Sequence, residues 1–169
     1  MTLERNPEFA AVIGSLVELA GLSDTVKVVV GPSDRSLGRL HAEGRLSRID
    51  LLFLDHYKPA YMTDLKLCEE LGLIQPGSVL AADNVIKPGN PPYLEYVRSP
   101  VEVKKKRALE ETGSGMNGFA DRQLKQYQKR EGEEKLSTWL RGDPSLIYKS
   151  ELIRSFEPTG VPVSSNSRY

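Results

Sequence analysis

Two apolar runs in this chain stop abruptly at oxygen-bearing side chains, and that pattern constrains the fold more than any other. The run from Ile49 to Leu54 ends in Asp55, His56, Tyr57 and Lys58, and the run from Ser78 to Ala82 ends in Asp83 and Asn84. Short apolar runs of this kind read as strands buried on both faces of a parallel sheet. Ligands of such sheets bind beyond the carboxyl ends of the strands. Two buried strands that both end in oxygen ligands are hard to explain by folding alone, and easy to explain as the floor of a metal-dependent active site.

The remaining elements fit that sheet. Met1 to Glu4 reads as the end of a strand. Asn6-Pro7 then opens a helix, because proline in the first turn lacks only an N–H that would be unpaired anyway. Phe9, Val12, Ile13, Leu16, Val17 and Ala20 follow at helical spacing, and Gly21 closes the helix. Val26 to Val30 is a β-branched strand, and Gly31-Pro32-Ser33-Asp34 turns into a second helix with Leu37 and Leu40 on its inner face. Residues 59–72 form a helix ending at Gly72, Val79 to Ala82 a buried strand, and Pro91 to Val97 a short helix. Leu146-Ile-Tyr148 and Leu152-Ile153 predict a further strand. Alternating strands and helices mean parallel βαβ units, which gather Glu4, Asp55 and Asp83 on one rim. We read residues 1–169 as a single domain and residues 101–142, where polar and charged residues cover every face, as a solvated insertion.

Composition narrows the function. Lys+Arg and Asp+Glu are equal at 23 each, so the basic excess of a general nucleic-acid or membrane-surface binder is missing. The cluster Lys104 to Arg107 is the one nucleic-acid candidate. Next to Glu110 and Glu111 it is better read as a solvated charge run. A single cysteine, Cys68, rules out an intramolecular disulfide and fits a reducing, cytoplasmic setting. No apolar run reaches the length of a membrane span.

At the rim, neighbouring strands lie roughly 4.8 Å apart, so carboxylates at their ends can share one cation. Asp55, Asp83 and the Asn84 amide form an all-oxygen set, which favours Mg²⁺ over Zn²⁺. The plainer alternative makes Asp83-Asn84 a turn and Asp55 a helix cap. Lys58 can serve as a base beside such a cation or be a solvated surface lysine. His56 contacts a ligand or caps the following helix; Tyr57 forms an aromatic wall or simply packs. Glu4 stands where nucleoside-binding sheets hold ribose hydroxyls, or is an acid favoured by a helix dipole. Ser33 and Asp34 are most simply helix N-caps.

Taken together, Leu54-Asp-His-Tyr-Lys58 and Ala81-Ala-Asp-Asn-Val-Ile-Lys-Pro-Gly89 closely resemble the catechol O-methyltransferase family, as do Thr2-Leu-Glu4 with Asn6-Pro7 and Val29-Val-Gly31 followed by Ser33. The likeness runs from residue 1 to about residue 99, resumes near Leu146 and fades after Pro162; the insertion between is similar to that of fungal members. The resemblance implies an α/β fold, the Rossmann-like sheet of S-adenosylmethionine-dependent methyltransferases, and Mg²⁺-dependent transfer of a methyl group from S-adenosylmethionine to one hydroxyl of a catechol by a monomer. By position, Asp55, Asp83 and Asn84 would bind Mg²⁺, Lys58 would be the general base, and Glu157 would hold the second hydroxyl. Glu4 would take the ribose, and Ser33, Asp34, Asp55 and His56 would surround the rest of the cofactor. Tyr57, Lys58, Asn84, Pro88 and Glu157 would contact the catechol. Set against the family, the chain is expected to lack the leading helices and the first strand with its Gly-rich turn. The strands ending at Glu4 and Asp55 then lose a shared neighbour. The alternative expectation is therefore an inactive remnant acting at most as a binding or interaction module.

Overall fold

The computed structural model describes residues 1–110, Phe119, Lys125, Tyr127, Lys129 and residues 140–153. Strands and helices alternate: β1 (Thr2–Glu4), α1 (Pro7–Leu19), β2 (Val28–Val30), α2 (Ser33–Ala42), β3 (Leu51–Leu54), α3 (Ala60–Glu70) and β4 (Val79–Ala82). A kinked helical turn over Val85–Gly89, then α4 (Pro91–Arg98) and α5 (Val101–Glu110), follow. The pairings are parallel, with Thr2 to Glu4 against Val28 to Val30 and Leu51 to Leu54 against Val79 to Ala82. Each pair is bridged by one helix, as parallel strands require. The α/β alternation read from the sequence is therefore present. Within the described residues it makes two two-stranded sheets, and β1 and β3 are not hydrogen-bonded to each other.

Local chemistry explains the entry into α1. The Asn6 side chain accepts hydrogen bonds from the Glu8 and Phe9 amides at 2.8 and 3.5 Å. Pro7 fills the first helical position. Glu4 Oε1 accepts from the Asn6 amide at 2.7 Å, so the end of β1 is tied to the cap. The apolar stripe along α1 does not face inward as its spacing predicts. Phe9, Val12 and Leu16 are exposed, and Ala10 is the buried residue. In α2, Leu37 and Leu40 are buried as expected, but neither Ser33 nor Asp34 caps it. The N-cap is Pro32, with no side-chain hydrogen bond, and Asp34 accepts from its neighbour Arg35 at 2.7 Å.

The core forms around α3. Tyr61, Leu65 and Cys68 fall on one face at helical spacing and are fully buried against Leu54, Ile49, Leu37, Tyr93 and Tyr96. Burial pushes the Cys68 thiol up to about 12. The strands are not buried on both faces, in contrast to the sequence expectation. Leu54 is 2% exposed, whereas Leu51 and Phe53 are each 63% exposed. Side chains alternate across a strand; one face of β3 meets the core and the other is left bare.

No strand forms over residues 146–153. Side chains hold this returning segment instead. Glu69, in the last turn of α3, accepts from Tyr96 and Tyr148 hydroxyls at 2.5 Å each and from the Asp143 amide at 2.9 Å. Glu70 accepts from the amides of Arg141 and Gly142. Lys104 is 2% exposed, donates to the Leu146 carbonyl and lies over the rings of Tyr96 and Tyr148. The solvated reading of this charge run therefore fails at Lys104, although Lys105 and Lys106 are exposed. No helix among the described residues is long and apolar enough to cross a membrane.

Two predictions follow from this clamp. Gly142 has φ +73°, and an added Cβ would collide with the Glu69 carboxylate and the Tyr96 hydroxyl. Gly142→Ala should lower the unfolding free energy by more than ~1 kcal/mol, measured by urea titration. Burial is the largest influence on Glu69 and raises its pKa, opposed by the Tyr148, Tyr96 and Asp143 hydrogen bonds and by Lys104. A raised folded-state pKa means the native state binds the proton more tightly. Glu69 therefore contributes stability that is fully present below the unfolded value of 4.5 and is lost as pH rises through the folded one. The stability difference between the parent and Glu69→Gln should fall with rising pH across that window; a difference that grows would refute the assignment.

Candidate active site

The β3–β4 register sets the geometry. Leu54 pairs with Ala82, and the Asp83 amide donates to the Leu54 carbonyl at 2.9 Å, extending the ladder one step. Asp55 and Asp83 are thus the first residues beyond two adjacent strand ends. Asn84 turns the chain with φ 55° and ψ 29°, left-handed values that asparagine tolerates better than most residues. Its amide donates to Asp83 Oδ1 at 2.7 Å.

Lys58 is buried, only 7% exposed, which removes the surface-lysine alternative. Its Nζ donates to Asp55 Oδ1 at 3.1 Å and to the Tyr61 hydroxyl at 2.6 Å. Tyr61 in turn donates to the Asp83 carbonyl at 3.4 Å. Burial, followed by the charges of Asp55 and Asp83, raises the Tyr61 pKa far above the ordinary phenol value. The phenol therefore keeps its proton for the carbonyl and offers its lone pairs to Lys58. From the other side, the buried Asn90 donates Nδ2–H to the Lys58 carbonyl at 2.7 Å. The two strand-end motifs are joined through one tyrosine.

The helix-cap alternatives for Asp55 and His56 are not realised. The N-cap of α3 is Pro59, with no side-chain hydrogen bond. His56 Nε2 instead meets Asp64 Oδ2 at 2.8 Å, and its ring lies 5.0 Å from that of Tyr61. Tyr57 meets Tyr127 edge-on at 5.9 Å, and Tyr127 meets Phe119 in the same manner.

A cleft of about 1230 Å³ opens between the two strand pairs. Glu4 and Ser33 line it from the β1–β2 side, and Asp55, His56, Tyr57 and Lys58 from β3. Asn84 and Pro88 line it from β4. Asp34 and Asp83 are not among the lining residues, and Glu157 lies outside the described residues. Among the described residues no group of three or more His, Cys, Asp or Glu side chains is placed to hold a metal; the candidate set is instead two carboxylates and an amide. One oxygen of Asp55 is taken by Lys58 and one of Asp83 by the Asn84 amide. Each keeps a second oxygen outside those bonds. A set of hard oxygens at adjacent strand ends suits Mg²⁺.

Four residues of this neighbourhood escape sequence reasoning: Tyr61, Asp64, Asn90 and Tyr127. Tyr61 and Asp64 fall on a helix face that reads as ordinary core, and Tyr127 falls in the polar stretch set aside as an insertion. Asn90 carried a usable signal, since asparagine before Pro91-Pro92 marks a helix N-cap, and its side chain does accept from the Tyr93 amide.

Known proteins match part of this chain. The chain is 48% identical over 98 residues to catechol O-methyltransferase of Bos taurus, covering 58% of this chain and 36% of that protein. It is 46% identical over 104 residues to catechol O-methyltransferase B of Danio rerio, covering 62% and 39%. It is 39% identical over 100 residues to transmembrane O-methyltransferase of Homo sapiens, covering 59% and 34%. The chain thus spans little more than a third of the length of these relatives. An O-methyltransferase family model matches residues 1–105, which include both strand-end motifs and the whole run from β1 to α4, and the chain belongs to the catechol O-methyltransferase family.

Proposed function

We propose that this protein transfers a methyl group from S-adenosylmethionine to one hydroxyl of a catechol in a Mg²⁺-dependent reaction. The observation that carries the reading is the buried Lys58 amine, bonded to Asp55 at the strand end beside Asp83. When bound, S-adenosylmethionine supplies the electrophilic methyl and Mg²⁺ the charge that acidifies and orients a vicinal diol. Asp55, Asp83 and Asn84 are the residues that would hold the cation. Unprotonated Nζ keeps two N–H groups, matched by the Asp55 carboxylate and the Tyr61 hydroxyl, so its lone pair remains for the hydroxyl proton. Tyr57, backed by Tyr127, and Pro88 would form the walls of the catechol slot. Glu4 would take the ribose hydroxyls, with Ser33, Asp34 and His56 around the adenine. Glu157 would hold the second hydroxyl. Much of the rate would come from holding the oxygen in line with the methyl.

A second reading, a binding module without catalysis, is favoured by one observation: β1 and β3 are not paired, and Leu51 and Phe53 are exposed. A sheet divided at its ligand-binding rim holds its site residues less firmly than a continuous one.

Transfer of labelled methyl from S-adenosylmethionine to a catechol separates the two. Lys58→Ala should lower kcat by about 10²-fold or more, the usual worth of a general base, with binding of S-adenosylhomocysteine retained. Removal of Mg²⁺ with a chelator should abolish turnover. Cofactor binding without any methyl transfer, with metal present, supports the second reading.

A further inference from the structure

Asp64 lies on α3, is 3% exposed and is bonded to His56 Nε2 at 2.8 Å. A carboxylate only accepts hydrogen bonds, so the proton of a neutral imidazole must be on Nε2. Nδ1 is then a bare acceptor. Among the described residues no hydrogen bond to Nδ1 is present, and the His56 side chain is 34% exposed and lines the cleft. Tyr61, itself tied to Lys58 and the Asp83 carbonyl, lies against the same ring at an interplanar angle of 30°. One nitrogen and one side of the imidazole are therefore committed before any ligand arrives.

We propose that Asp64 is a positioning residue that locks His56 in its Nε2–H tautomer, so that Nδ1 accepts a hydrogen bond from a donor-bearing heteroaromatic ring. Resting on the methyltransferase reading, that ring is the adenine of the cofactor, whose exocyclic amine is a donor. Asp64 thereby sets a preference for an amine over a carbonyl at that position without touching the ligand itself.

The chain carries its own control. It has two histidines, and His41 Nδ1 is 3.2 Å from the Leu46 carbonyl. A carbonyl can only accept, so His41 must carry its proton on Nδ1. The two rings should hold opposite tautomers. Long-range ¹⁵N–¹H spectra of the full chain, recorded about two pH units above the ordinary imidazole value, distinguish them, and His41→Gln assigns the signals. The parent should show Nε2–H for His56 and Nδ1–H for His41. In Asp64→Asn the side-chain amide can either accept from or donate to Nε2, so the His56 signal should spread over both tautomers while that of His41 stays. Calorimetry completes the test. The parent should bind S-adenosylhomocysteine about tenfold more tightly than its inosine analogue, the order expected for one hydrogen bond, and Asp64→Asn should weaken that preference. An Nδ1–H signal from His56 in the parent overturns the proposal whatever the chain binds. Equal affinity of the parent for the two ligands overturns the adenine contact. An intact Nε2–H signal with no binding of either ligand counts instead against the cofactor reading and leaves the tautomer assignment standing.

Discussion

The arrangement depends on a buried lysine amine at the mouth of a parallel strand pair. Lys58 cannot be withdrawn from water without partners, because a buried polar or charged group left unpaired is destabilising. Asp55 and Tyr61 provide them, and Tyr61 is itself fixed by complete burial and by its bond to the Asp83 carbonyl. Through this one residue the end of β3, the first turn of α3 and the end of β4 are held together. The candidate metal ligands and the candidate base are thus coupled by the same contacts that build the core.

The cleft has two unequal sides. On the β3–β4 side, position follows from register, from buried side chains and from hydrogen bonds that cross between elements. On the β1–β2 side, Glu4 is held through the cap of α1, and Ser33 begins a helix that has no side-chain cap. The first side carries the residues with the demanding geometry, the candidate oxygen ligands and the amine. The second carries Glu4 and Ser33, two of the candidates for cofactor recognition; His56, a third, stands on the first side.

Much of this was legible in the residues. Asp55, Lys58, Asp83 and Asn84 stood out because acids, amides and amines are unusual directly after apolar runs, and parallel pairing follows from strand–helix alternation. Other features were hidden for physical reasons. Spacing shows that Phe9, Val12 and Leu16 share a helix face, but not whether anything covers it. The same holds for Leu51 and Phe53. Leu146 to Tyr148 has strand-like composition, yet its fixation comes from Glu69 and Lys104, far away in sequence, and no local pattern encodes such a bond. Asp64 and Tyr61 were invisible because a polar group on a buried helix face declares its purpose only once its partner is known.

The clamp at the end of α3 has a consequence for how this chain tolerates change. Lys104 meets the Leu146 carbonyl, so two points far apart in sequence are held side by side, both anchored on the α3 and α4 side chains. The entropy of bringing two such points together grows only logarithmically with the length of chain between them, about 0.6 kcal/mol per doubling. Added length between these anchors therefore costs the fold little, provided Tyr127 keeps its place against Tyr57.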